Sequence, residues 1–387
     1  MSLTELWKNS RDQFSNKLVQ QVIAFADEGK LRDENITSLE FRDFLSHVSS
    51  EVLCQYSDNC LNNTFTDSGL ALQDIVNQIG RRLGFEVEDG RYQGSKNSIG
   101  NDGLWLFPSG HHAVIEVKTT DAYRIDSNKI AEYRRKLVVA QKIEEEKSSI
   151  LIIVGRQDTG DLEAQIRGSR HAWDIRLISV DSLLRLMLLK EKVDDPQIIQ
   201  RICDILIPKE FTRLDTIVDI VFFTAEETKQ ESEITDEVDE EESQVEKVKS
   251  SPAAFHDACI EKFSAAKNIS LIKHSRNTFT TPNKTTNVVC AVSKFHKKHN
   301  SFWFAFHPYH QDFLAKVSEG HFLLGCDSPE IVLAIPYFDL KDWLSNLWTT
   351  EDENRMYWHI RIHRNNGKFL LDRKRGFGKL DVSKYRI

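Results

Sequence analysis

The sequence predicts an α/β core built on a mixed central sheet, preceded by a helical extension and followed by a separate α+β domain. Three observations carry this reading. Between about residues 68 and 190 the hydrophobic pattern switches repeatedly between helical and strand periods. Residues 225–249 hold 11 acids, 3 lysines and no aromatic residue, and divide the chain. Beyond them the composition turns basic and aromatic.

Residues 1–62 read as the helical extension. Leu18, Val22, Ile23 and Phe25 suit one helix, and "SLEFRDFLSHVSSEVLCQY" suits a second with Ser38 as its N-cap. The core is expected over 63–224. "DSGLALQDIVNQIGRRLGFEV" opens it with an amphipathic helix, in which Leu72, Ile75, Val76, Ile79 and Leu83 form one stripe. Gly84 ends that helix and "FEV" begins a strand. "GLWLF" and "AVIEVK" flank the turn signal "PSGHH" and read as a hairpin. A helix at "NKIAEYRRKLVVAQKIEEEK", a buried strand at "SSILIIVG", a helix at "DLEAQIRGSRHAW", a strand at "IRLIS" and a helix at "VDSLLRLMLLKEK" follow. Residues 225–252 are expected to be a disordered acidic linker, and 253–387 a small α+β or β-barrel-like domain.

The chain has 387 residues, with 40% hydrophobic and 28% charged, which suits folded soluble domains. No apolar run is long enough to span a bilayer, and the N-terminus carries no secretory pattern. The six cysteines (54, 60, 203, 259, 290 and 326) are scattered without a CxxC pair, so neither a disulfide framework nor a zinc site is expected. These features lead to a cytoplasmic expectation. The net charge is −8, but residues 253–387 carry 20 Lys and Arg against 13 Asp and Glu. The whole-chain charge therefore does not argue against a nucleic-acid partner.

The stretch "AVIEVK" raises a chemical question. Ala113, Val114, Ile115 and Val117 suit a buried strand, yet Glu116 and Lys118 share one of its faces. If the hairpin turn centres on Ser109, Asp102 stands opposite Glu116. Two carboxylates so close repel unless a cation lies between them, and all-oxygen ligands suit Mg²⁺, with Mn²⁺ as a substitute. Such an ion polarises a phosphoryl oxygen and acidifies a bound water, and Lys118 beside it would orient that water or steady transition-state charge. Acid-x-Lys triplets recur elsewhere, as at Glu28/Lys30 and Asp372/Lys374, where a solvated face explains them. Glu116/Lys118 differs in its apolar strand and in the second acid across the hairpin.

"GND" at 100–102 followed by "IEVK" at 115–118 resembles the PD-(D/E)xK nuclease superfamily, and the leading helix is similar to that of its Mrr-like branch, over about residues 65–185. The resemblance implies a restriction-endonuclease-like core and a Mg²⁺-dependent DNA endonuclease active in restriction or phage defence. It implies Asp102 and Glu116 as metal ligands, joined by the Val117 carbonyl, with Lys118 as the catalytic lysine. Asn101 stands where relatives carry proline. Gln73 occupies the slot of a helix glutamate, and could offer an amide oxygen to a metal or to its water. In the helix after the lysine, Lys129 and Tyr133 take the Gln-x3-Tyr spacing of RecB-type relatives, so only the tyrosine is retained.

Arg134 and Arg135 could contact DNA phosphates, or simply pair with nearby acids on a solvated helix face. Gln165, Arg167 and Arg170 suit phosphate or base contacts, against ordinary helix-surface polarity. His111 and His112 read as turn residues. "VGRQDTGD" lacks the lysine and spacing of a P-loop, so no nucleotide-hydrolysing motor is expected in this chain. Residues 253–387 hold 20 of the 37 aromatics. Aromatic and basic residues together suit a nucleic-acid reader, with Trp303, Tyr309 and Trp358 as candidates for stacking bases, although core packing explains them nearly as well. The reading is therefore a DNA endonuclease with a C-terminal recognition domain. The alternative is a sensor-effector nuclease whose C-terminal domain binds a small-molecule or protein trigger. A double-strand cut usually uses two sites, which makes a homodimer an expectation.

Overall fold

The computed structural model describes the chain apart from Ser15, Thr64 and residues 94–98, 120–123, 156–159, 209–251, 297–299 and 352–355. The acidic segment expected as a linker lies, but for Pro252, outside the described residues. The chain divides into two compact units, Met1–Val193 with Gln197–Glu227, and Asp194–Pro196 with Thr228–Ile387. Among the described residues no helix is long and apolar enough to cross a membrane.

The first unit opens with helices: α1 (Leu3–Asn9), α2 (Arg11–Phe14), α3 (Val19–Ile23), α4 (Ile36–His47) and α5 (Ser50–Asn62). α1 starts at a capping box in which Ser2 and Glu5 satisfy each other's backbone N–H. The single helix expected from "SLEFRDFLSHVSSEVLCQY" is two. Val48 and Ser49 take extended backbone between α4 and α5, and α4 is capped by Asn35 rather than Ser38. Ser38 is instead buried, its hydroxyl on the Arg32 carbonyl at 2.7 Å.

Next come α6 (Ser68–Leu83), β1 (Glu86–Asp89), β2 (Gly103–Leu106), β3 (His112–Lys118), α7 (Ser127–Val139), β4 (Ser148–Val154), α8 (Gly160–Arg167), β5 (Ile175–Ser179) and α9 (Val180–Lys190), then α10 (Pro196–Asp204). The strands form one sheet in the order β1-β2-β3-β4-β5. β1, β2 and β3 pair antiparallel, while β3, β4 and β5 run parallel. β4 is buried along its whole length because helices cover both faces. On one face α6 packs against Trp105, Ile115, Leu151 and Ile153. On the other, Ile130 and Leu137 of α7 and Leu162 and Ile166 of α8 cover Leu104, Val114, Ile150 and Ile152.

The second unit is α+β. Its elements are α11 (Pro252–Lys267), β6 (Ile272–Lys273), β7 (Thr278–Thr280), β8 (Thr286–Ser293), β9 (Ser301–Phe306), α12 (Pro308–Ala315), β10 (Glu319–Cys326), β11 (Val332–Pro336), α13 (Tyr337–Leu344), β12 (Thr349–Glu351), β13 (Met356–Asn365), β14 (Lys368–Leu371) and β15 (Leu380–Asp381). One sheet has the order β11-β10-β8-β7-β6; the other is β12-β13-β14-β15 with β9 paired to β13. Phe302, Phe304, Phe306, Ile360 and Ile362 of one sheet meet Val289, Phe322, Leu324 and Ile335 of the other in a shared core. Cys259 and Phe263 of α11 close the outer face of the first sheet over Val288, Cys290 and Leu323.

Candidate functional site

The β2–β3 hairpin turns through Phe107, whose N–H donates to the His111 carbonyl at 2.8 Å, with Gly110 at φ +82°. That left-handed residue suits a three-residue loop closed by glycine. The register then pairs Gly103 with Ile115 and Leu104 with Val114. Asp102, one residue before β2, therefore stands opposite Glu116, and its N–H donates to the Ile115 carbonyl at 2.9 Å.

Asp102, Glu116 and Lys118 share the sheet face that α7 covers. Glu116 is 7% exposed, and its Oε1 accepts from Lys118 Nζ at 2.5 Å. Its Oε2 is buried and has no hydrogen-bond partner. Asp102 Oδ2 accepts from the Val117 N–H at 2.6 Å. Burial, then the charge of Glu116, pushes the Asp102 carboxyl up to about 7, against the lowering effect of Val117, Lys118 and Lys129. A strand residue points its N–H and C=O to the same side, so the Val117 carbonyl also faces the β2 side, where Asp102 lies. All of this sits at the C-terminal end of β3, where parallel strands of α/β sheets characteristically present ligand-binding groups.

The second layer comes from α6. Gln73 Nε2 donates to the Asp102 main-chain carbonyl at 3.2 Å, and Asn77 Nδ2 donates to the same oxygen at 2.9 Å. Asn77 Oδ1 in turn accepts from the Trp105 indole N–H at 2.9 Å. Both amides are buried. Two glycines permit this close packing. A Cβ on Gly80 would lie 2.6 Å from the Trp105 ring, and one on Gly103 would lie 2.2 Å from Asn77 Oδ1. Gln73 thus reaches the site through its nitrogen and holds the backbone of Asp102. Neighbouring Asp74 is buried between Arg42, at 2.9 Å, and the Tyr92 hydroxyl. Burial pushes its carboxyl up to about 7 despite Arg42.

Lys129 and Tyr133 lie on α7, the ammonium 5.9 Å from the Tyr133 ring centre. The Lys129 pKa is raised, first by its hydrogen bond to Tyr133 and in smaller part by the charge of Glu116, which places Lys129 in the field of the site.

The other candidates from the sequence fall elsewhere. Arg134 is committed to structure: its guanidinium reaches Ser148 Oγ at 3.0 Å, the Glu145 carbonyl at 2.5 Å and Asp174 at 3.4 Å. Ser148 pairs with His112 at the start of β3, the opposite end from Lys118. Arg135 is exposed on α7. Gln165 accepts from the Ile125 N–H at 3.2 Å, Arg167 pairs with Glu163 at 2.5 Å, and exposed Arg170 bonds His171 at 3.2 Å. His111 bonds Ser149 at 2.8 Å. In the second unit, Trp358 leans into the core, 5.9 Å from the Phe306 ring, whereas Trp303 and Tyr309 lie half-buried in a different cluster.

The donor set fits a hard divalent cation. Two carboxylates and a main-chain carbonyl offer oxygen atoms, and one buried carboxylate oxygen lacks a partner. Among the described residues no third His, Cys, Asp or Glu completes a metal cluster, so water or substrate would fill the remaining positions, as Mg²⁺ prefers. Sequence reasoning missed Asn77 and Asp74. For Asn77 the available signal was spacing, since Gln73, Asn77 and Gly80 recur at helical intervals on a helix whose partner strand starts at a glycine; Asp74 carried none. No family model matches the chain, and no curated protein is significantly similar to it.

Proposed function

We propose that the chain is a metal-dependent nuclease of the PD-(D/E)xK type, with a restriction-endonuclease-like core in its first unit, hydrolysing phosphodiester bonds of DNA. One observation carries the reading. Asp102, Glu116 and Lys118 meet at the end of β3, and Glu116 keeps a buried oxygen with no partner. Asp89 also keeps a buried oxygen without a partner, beside Asp74, but Arg42 and Arg81 pair with those two carboxylates, whereas Asp102 and Glu116 face each other at the C-terminal end of β3 with Lys118 as the hydrogen-bonded cation.

Asp102, Glu116 and the Val117 carbonyl would hold Mg²⁺ or Mn²⁺. When bound, the ion supplies Lewis-acid polarisation of the phosphoryl group and a more acidic water. Lys118 donates to Glu116 in the free protein, and in this reading its ammonium would hydrogen-bond the attacking water or neutralise charge gathering on the phosphoryl oxygens. Gln73 and Asn77 fix the main chain of Asp102, so the carboxylate is held in place before substrate arrives. The proton that Asp102 retains near neutrality must leave as a cation enters, which makes occupancy favour higher pH.

The second unit, basic and aromatic, is the recognition part of this proposal, and restriction or phage defence is the matching role. The test is digestion of modified and unmodified phage DNA with Mg²⁺, with Lys118→Ala as control. Cleavage by the parent and none by the variant is expected. Full activity in Lys118→Ala overturns the assignment.

A further inference from the structure

The second unit carries a set of rings that its core does not use. Along β9, Phe302, Phe304 and Phe306 point into the core, so Trp303 and Ala305 point out. Along β13, Ile360 and Ile362 point in, so Tyr357, His359 and Arg361 point out. The register sets Ala305 beside His359 and Trp303 beside Arg361. Trp303 and Tyr357 lean toward each other from opposite ends of this face, ring centres 6.2 Å apart and nearly perpendicular. His359 lies between them, 5.9 Å from Trp303 and 5.1 Å from Tyr357. At the Tyr357 end, the His307 ring stacks on Tyr309 at 4.9 Å and lies 5.5 Å from Tyr357.

The polar edges of Trp303 and His359 are engaged internally. The Trp303 indole N–H donates to His359 Nδ1 at 3.0 Å. His359 must then carry its proton on Nε2, which faces Thr350 Oγ1 at 2.8 Å. Burial and the charge of Arg361 lower the His359 pKa, which keeps this tautomer neutral and locates the guanidinium charge beside the rings. The face therefore offers half-buried π surfaces, with the Trp303 and His359 polar edges already engaged and an exposed arginine at its Trp303 end. From Trp303 to His307 is four residues, about 13 Å at about 3.3 Å each, enough for a few bases stacked at about 3.4 Å.

We propose that this outer face of the β9–β13 pair binds unpaired nucleic-acid bases, stacked against Trp303 and Tyr357, with a backbone phosphate at Arg361. The proposal rests on the reading of the second unit as the nucleic-acid-recognition part. Charge selects the occupant. Aromatic clusters also take cationic ligands such as methylated lysine, but here such a ligand would meet exposed Arg361, whose cross-strand neighbour Asp372 lies 3.7 Å from His363, whereas a nucleic-acid strand finds its complement at the arginine.

The test uses the full chain with Lys118→Ala, in chelator, titrated with a fluorescein-labelled twelve-nucleotide single strand. Trp303→Ala and Tyr357→Ala should each weaken binding about ten-fold or more. Arg361→Gln should flatten the dependence of log affinity on log salt by about 0.7. Trp303→Phe keeps a stacking ring while losing the indole N–H, and should bind within about three-fold of the parent, which separates a lost platform from a damaged fold. A parent that binds but is unaffected by either alanine variant overturns the face while leaving the recognition reading standing. A parent with no affinity for the strand, even at low salt, overturns the face, and no affinity for the matching duplex either overturns the recognition reading as well. Binding of a trimethyllysine peptide that depends on Trp303, in place of the strand, overturns the proposal in favour of a protein partner.

Discussion

Removing the charge of Asp102 should make the metal-free protein more stable while abolishing cleavage. Asp102 and Glu116 face each other across the hairpin, and burial together with that repulsion pushes the Asp102 carboxyl up to about 7 from 3.8. At 1.36 kcal/mol for each pKa unit, the full displacement corresponds to roughly 4 kcal/mol. Asp102 is half-buried and shares the interaction with Glu116, so the sharing and the remaining solvent screening reduce the expected effect to about 1–2 kcal/mol. Because the folded-state value is raised, the folded chain holds a proton that the unfolded chain has already released between pH 3.8 and about 7. Stability from this group is complete below that window and is lost as pH rises through it. Asp102→Asn keeps an acceptor for the Val117 N–H and has no charge to lose. In chelator its melting temperature should match the parent near pH 4 and exceed it at pH 8, by about 2–8 °C for a unit of this size. Mg²⁺ at pH 8 should raise the parent's melting temperature and leave that of Asp102→Asn nearly unchanged. The measurement is a thermal melt at several pH values with chelator or Mg²⁺. A variant melting at or below the parent at pH 8 in chelator would refute the repulsion.

Three further outcomes are expected. Asn77→Ala should cost about 2–3 kcal/mol in urea denaturation, since it strands the Trp105 indole N–H as well as freeing the Asp102 carbonyl, while Gln73→Ala should cost only about 1 kcal/mol; equal losses would contradict the shared-acceptor geometry. Arg134→Ala should destabilise by about 1–3 kcal/mol, because its guanidinium ties α7 to the start of β4, yet leave the salt dependence of DNA binding unchanged. Chelator should stop cleavage, with Mg²⁺ or Mn²⁺ restoring it, as scored on supercoiled plasmid; undiminished cleavage in excess chelator rules out a catalytic metal at these carboxylates.

The hairpin was legible in the sequence because its register depends on local features. A glycine closes a three-residue turn, alternation fixes the faces, and together they set Asp102 against Glu116 before any long-range contact is known. The order of helices and strands in the first unit was legible for a similar reason, since each element carries its own period. The support of Asp102 was not. Periodicity sorts α6 into an apolar stripe and a polar remainder and assigns the remainder to solvent, whereas Gln73 and Asn77 are buried on a carbonyl 29 and 25 residues away. Arg134 fails in the opposite sense. A basic residue on the helix after the site looks available to phosphate, and only the tertiary structure reveals that Ser148, Glu145 and Asp174 already occupy it. In the second unit, alternation along β9 and β13 separates core rings from outward ones, but only once strand pairing is known; Trp358 and Tyr357 are neighbours in sequence on opposite faces.

Of the sixteen residues of α6, twelve are buried. A surface helix tolerates drift on its wet side, and a sequence can wander there for long periods without penalty. α6 has little such side. Its apolar residues are held by the sheet, its amides by Asp102 and Trp105, and Gly80 by the indole pressed against it. In a saturation library selected for activity, the run from Ala71 to Gly80 should therefore stand out as a nearly continuous block of intolerance, polar and apolar positions alike. That block would mark the site from its rear, in a segment holding neither proposed carboxylate ligand nor the lysine.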